Sequence, residues 1–252
     1  MKPMNMTPAN TMMQTVKLPA RRRGFTLIEL LIVIAIIGIL ASLTVAGLGA
    51  VKRVQALSTA RKELEQIKTA LENYQQKYGV YPPGNQNANG LYTPKNQDRA
   101  QFNQLYYELA GTTSEGPNFV VLGGSANVEG SFIPAASVMV AYGVGGFINC
   151  TKGSGEEGKP AQNFLPSLST KQYSDHVTNN NINTTILVTA ANSDAGYLPL
   201  GPDSGGLNPV RYMYPGTNNP TGYDLWIQLV IKGKTNLICN WSKTPLINTP
   251  YP

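Results

Sequence analysis

Side chains that do chemistry are scarce in this sequence. It has one histidine, His176, and two cysteines, Cys150 and Cys239, so it holds no Cys/His cluster with the spacing of a zinc site. His176 lies in a polar stretch and reads as a solvated loop residue. No Gly-x-Ser-x-Gly nucleophile elbow occurs. Gly233-Lys234-Thr235 imitates the end of a phosphate loop, but Gln228 stands where the first glycine is required. Gly143-Val144-Gly145-Gly146 has Ile148 in place of the third glycine of a dinucleotide fingerprint. Charge is thin as well, 13% of residues. Acids are missing from Met1–Gly24, and charge of either sign is missing from Leu30 to Val51. These gaps argue against the common hydrolase, zinc and nucleotide-binding classes and turn attention to the charge-free run.

That run has 22 residues. As a helix it rises roughly 33 Å, enough to cross the hydrocarbon core of a bilayer. Ahead of it, Lys2, Lys17, Arg21, Arg22 and Arg23 supply five of the twenty basic residues of the chain. Without them the basic count nearly equals the fourteen acids, so the net charge of +6 is mostly a property of the first 24 residues. This weakens any nucleic-acid reading. The basic flank holds the N-terminus in the cytoplasm and sends the chain beyond Val51 outward. One ionisable group sits inside the apolar segment, Glu29, where an unpartnered carboxylate is costly. Glu29 therefore calls for a partner.

Arg21-Arg22-Arg23-Gly24-Phe25-Thr26-Leu27-Ile28-Glu29, followed by a full apolar span, resembles the N-terminus of type IV prepilin-like proteins. The resemblance implies cleavage between Gly24 and Phe25 by a prepilin peptidase, followed by N-methylation of Phe25. It also implies that Glu29 of one subunit neutralises the Phe25 ammonium of a neighbour during assembly. A cation and an anion that both disfavour apolar surroundings stabilise each other there. The leader is long for the family, with Met12 and Met13 as alternative starts.

From Lys52 the pattern becomes amphipathic. Val54, Leu57, Leu64, Ile67, Leu71, Tyr74 and Tyr78 mark one helix face. Arg61–Glu65 and Lys68–Glu72 are i,i+4 pairs off that face. Gly79 and Tyr81-Pro82-Pro83-Gly84 end the helix. Asn85–Asn96 reads as a loop and Asp98–Ala110 as a second helix. Phe119–Leu122, Ser137–Tyr142 and Thr185–Thr189 are strand candidates, with turn-rich stretches at Gly143–Gly158 and Thr178–Asn183. Val210–Tyr214, Tyr223–Ile231 and Thr235–Trp241 form a C-terminal antiparallel meander.

The predicted fold is α+β. A long N-terminal helix, transmembrane in its first half and amphipathic in its second, packs on a C-terminal antiparallel sheet, the order that the resemblance to pilins and type II secretion pseudopilins implies. The predicted organisation is a removed leader (1–24), a transmembrane and filament-core helix (25–51), an amphipathic helix (52–79) and an exported α+β domain (80–252). Major pseudopilins hold calcium in a carboxylate-rich C-terminal loop. Here Asp224 has only Asn218, Asn219 and Thr221 nearby, too thin for an ion that takes six to eight oxygens, so no cofactor is expected. Cys150 and Cys239 are candidates for a disulfide in an oxidising compartment, with two buried free thiols as the alternative.

The resulting expectation is a filament subunit, not an enzyme. Its partners are other pilin-like subunits, a prepilin peptidase, an inner-membrane assembly platform and the membrane itself. It sits as a single-pass inner-membrane protein with a cytoplasmic N-terminus and a periplasmic or extracellular C-terminal domain. A type II secretion pseudopilin is the first choice. A type IV pilin for adhesion, motility or DNA uptake, or a membrane-anchored binding module that never polymerises, is the alternative. Terminal mass analysis of the protein from its host should find a chain that begins at N-methylated Phe25.

Overall fold

The structure, a computed structural model, describes residues 24–84, 100–152, 159–179 and 181–249, with the backbone alone at 43–48, 176 and 179. The leader through Arg23, the expected loop at 85–96 and the start of the expected helix at 98 lie outside these residues. The chain divides into two compact units, Met1–Leu48 and Gly49–Pro252. One helix, α1 (Leu27–Tyr78), contributes to both.

In the first unit Phe25 and the described apolar side chains of α1 are all exposed, Phe25 and Leu27 most of all. Among the described residues no helix is long and apolar enough to cross a membrane. Side chains are described up to Ser42 and again from Gly49, and the span expected over 25–51 is not found among the described residues.

In the second unit α1 carries a buried stripe. Leu64, Ile67, Leu71 and Tyr74 are at most 2% exposed, as the spacing predicts, with Leu57 and Tyr78 packed at the edge of the same cluster. Ala56, Ala60 and Ala70 widen the stripe, their small side chains allowing close approach. Val54 departs from it and is exposed. The expected i,i+4 ion pairs do not form. Lys68 pairs with Glu65 one turn back at 3.4 Å, Arg61 donates to the carbonyl of Lys243, and Glu72 accepts from Tyr81 and Tyr223.

Against this stripe lies an antiparallel sheet of β7 (Arg211–Met213), β8 (Asp224–Ile231), β9 (Lys234–Cys239) and β10 (Leu246–Ile247), in the order β10-β9-β8-β7. Side chains alternate along β8. Leu225, Ile227 and Leu229 join the helix cluster, while Trp226 points the other way to Leu237, Cys239 and Met213. The C-terminal meander stands over the ranges expected from the sequence, and β10 adds a fourth strand.

The middle region is less legible in the sequence. A short helix, α2 (Leu105–Ala110), is followed by β1 (Thr112–Glu115), β2 (Asn118–Val121), β3 (Phe132–Pro134) and β4 (Cys150–Thr151), with sheet order β3-β2-β1-β4 and β4 parallel to β1. The stretch expected as a strand at Ser137–Tyr142 is instead helix α3 (Ala135–Tyr142). Val138, Ala141 and Tyr142 are buried at helical spacing, and Gly143 ends the helix in the left-handed region with its amide on the Met139 carbonyl. β5 (Tyr173–Asn179) and β6 (Ile182–Leu187) form a separate hairpin. His176 therefore sits on a strand, not in a loop.

Two buried carboxylates, Glu63 on α1 and Glu108 packed against it, are held by hydrogen bonds. Glu108 of α2, fully buried, accepts from the Tyr74 hydroxyl at 2.9 Å and from the backbone amides of Ile148 and Asn149, each at 3.0 Å. The Asn149 side chain donates to the Glu108 and Gln162 carbonyls and accepts from Tyr78. Glu63 accepts from the Thr189 hydroxyl and the Ala190 amide. Burial raises the pKa of both acids, and the hydrogen bonds offset it in part. A carboxyl whose folded pKa lies above its unfolded one binds protons more tightly when folded. Its contribution to stability is full below the unfolded value and is lost as pH rises through the folded value. The chain in detergent should therefore melt at a higher temperature at pH 5 than at pH 8, and Glu108→Gln should shrink that difference.

Candidate functional site

The N-terminal site is built by the first turn of α1. Thr26 stands just before the helix. Its hydroxyl accepts from the Glu29 amide at 3.3 Å, while the Glu29 carboxylate accepts from the Thr26 amide and the Thr26 hydroxyl, both at 2.8 Å. This reciprocal exchange is a capping box, which satisfies amides that the first turn leaves without partners. The carboxylate also lies where the positive end of the helix dipole favours it. Charge alone singles out Glu29 in the sequence and passes over Thr26, although Thr-x-x-Glu ahead of an apolar run is the signature of this motif. Gly24 has open space around its α-carbon, and Phe25 is exposed. The residues of the expected cleavage and assembly site are thus contiguous and accessible, with Glu29 partnered within its own chain.

The C-terminal loop between β7 and β8 is organised around the other candidate, Asp224. Its buried carboxylate accepts from the backbone amides of Asn218 and Asn219, at 2.8 and 3.0 Å, and from both of their side-chain amides, each at 3.0 Å. These four contacts are N–H donors, whereas calcium needs oxygens turned toward it. Among the described residues no group of three or more His, Cys, Asp or Glu side chains is placed to hold a metal. The loop closes tightly on the acid. A Cβ added at Gly216 would fall 2.5 Å from Asp224 Oδ1 and 2.8 Å from its amide nitrogen.

Cys150 and Cys239 are both free thiols, so the bridge that the sequence left open is not formed. Cys150, half-buried on β4, packs against the helix cluster, and Cys239, buried on β9, packs with Trp226 and Leu237 in another. Burial pushes both thiols up from their ordinary pKa.

Gly216→Ala should destabilise the second unit by about 1–3 kcal/mol, the usual range for overpacking a tight site, read by denaturant unfolding.

Comparison with known proteins places the N-terminal residues in a known context. The prokaryotic N-terminal methylation motif matches residues 19–45. The type II secretion system core protein G of Pectobacterium carotovorum subsp. carotovorum is 37% identical over 73 residues, which are 29% of this chain and 47% of that protein. The protein of the same name from Escherichia coli (strain K12) is 38% identical over 71 residues, 28% of this chain and 49% of that protein. The chain thus spans about half the length of the curated relatives it matches. No solved structure matches it significantly. The methylation motif covers Gly24, Phe25 and Glu29, so the N-terminal part of the chain is prepilin-like and similar to the core protein G of two type II secretion systems.

Proposed function

We propose that the chain is a pseudopilin, a subunit of a short filament raised from the inner membrane by a type II secretion-like machine. The observation that carries this reading is the matched motif: Gly24, Phe25 and Glu29 at fixed offsets, continued by the charge-free run from Leu30 to Val51. On this reading a prepilin peptidase cuts after Gly24 on the cytoplasmic side and Phe25 is methylated. The apolar run holds the subunit as a single-pass protein with its second unit outside until the assembly platform draws it into a filament.

In the filament, Glu29 exchanges its capping contact with Thr26 for the Phe25 ammonium of an adjacent subunit. A cation and an anion that both disfavour apolar surroundings stabilise each other when they meet there. The subunit works without calcium, because the Asp224 loop meets the needs of its acid with amides.

A type IV pilin is the second reading, and the large share of the chain with no counterpart in the matched relatives favours it. Filaments outside the cell under the electron microscope would decide for it. Glu29→Ala should abolish incorporation into filaments while membrane insertion persists. A native chain that inserts in the membrane but enters no filament would leave a membrane-anchored module that does not polymerise.

A further inference from the structure

Where the second unit begins, two elements bring cations together. Gly49, Lys52, Arg53 and Ala56 share one face of α1 by their spacing, and Ala56 on that face is buried. The β8–β9 hairpin, whose tip is Lys232-Gly233-Lys234, packs against it. The Lys232 ammonium lies 2.7 Å from where a Cβ at Gly49 would stand, so the missing side chain makes room for it. Arg53 donates to the Asn236 side chain at 3.3 Å, and the same asparagine donates to the Lys234 carbonyl at 2.8 Å. Lys52, Arg53, Lys232 and Lys234 are all exposed, and none forms an ion pair with a described residue. The carboxylate that touches the hairpin, Asp194, accepts from the Gly233 amide at 2.8 Å. Four cations held beside one carboxylate repel one another unless an anion joins them.

Exposed apolar side chains flank these cations: Val54 on α1 and Ile247 on β10, the latter paired in register with Asn236. Cations mixed with isolated aliphatic groups suit the boundary between headgroups and acyl chains, where long basic side chains reach phosphate and apolar ones enter the lipid. The chain continues from this surface directly into the apolar run, which ends at Val51, one residue before Lys52.

We propose that Lys52, Arg53, Lys232 and Lys234 form a collar that binds the phosphates of anionic lipid headgroups and seats the second unit on the outer face of the inner membrane before assembly. The proposal rests on the membrane-anchored reading above. Leaving the membrane for a filament then means leaving these phosphates, so the collar sets part of the resistance to extraction.

The test uses the full chain reconstituted in vesicles of phosphatidylcholine alone, or with roughly one third phosphatidylglycerol. Lysines are labelled with an amine-reactive reagent and read by mass spectrometry. Lys52, Lys232 and Lys234 should label about fivefold more slowly in the anionic vesicles. High salt should reverse this, and Lys68 and Lys171 should be unaffected. In the double variant Lys232→Gln/Lys234→Gln, two exposed changes, the protection of Lys52 should fall. Equal labelling in both vesicles, while the apolar run resists alkaline extraction, overturns the collar and leaves the membrane reading intact. Protection that follows protein density and not lipid charge assigns the surface to a second copy and overturns the collar too. A chain that alkali extracts from both vesicles overturns the membrane reading and the collar with it.

Discussion

Burial of one helical stripe against a four-stranded sheet is the constraint on which the second unit depends. Leu64, Ile67, Leu71 and Tyr74 reach Leu225, Ile227 and Leu229 within a single cluster that also gathers α2 and α3. Removing side chains of this size from water contributes roughly 1.5–3 kcal/mol each. No other described helix in the unit approaches α1 in length, so the short middle elements order themselves on it. The position of Glu108 follows from this arrangement. A carboxylate in such a core is tolerated because Tyr74, Ile148 and Asn149 surround it with donors. It thereby ties α2 to the helix and to the segment before β4.

The same helix does two kinds of work along its length. Up to Ser42 its described side chains are mostly aliphatic and exposed, a surface that water disfavours and that lipid or other helices would cover. From Ala56 onward one face is covered by the protein itself and the other carries charge. The boundary is sharp: Val51 closes the apolar run, and Lys52 and Arg53 open the charged part. At the opposite end Gly79 takes a left-handed conformation, and Tyr212 donates to the Pro82 carbonyl at 2.7 Å to fix the exit.

Strong periodicity makes the helix and the C-terminal strands readable. Six stripe positions from Leu57 to Tyr78 at spacings of three, four or seven leave little choice, and turns at Pro215–Gly222 and Lys232–Lys234 bound β8. Where local preference and tertiary context compete, the sequence misleads. Val138-Met139-Val140 has β-branched residues, yet it is helical because Val138, Ala141 and Tyr142 together bury a helical face. Arg61 and Glu72 have the spacing of helix-surface pairs, but neighbours outside the helix, Lys243, Tyr81 and Tyr223, supply their partners. At the N-terminal site the acid is legible from its charge. Its partnership with Thr26 lies in a four-residue pattern that the longer apolar run overshadows. The closure of the Asp224 loop is out of reach, since it depends on two asparagine side chains folding back across the turn.

The two thiols carry a last implication. Cys150 and Cys239 lie in different clusters, each wrapped by its own apolar neighbours, and no covalent link joins them across the sheets. The architecture of the second unit is then reached by burial and hydrogen bonding alone. Packing of the second unit therefore asks nothing of the redox state around it.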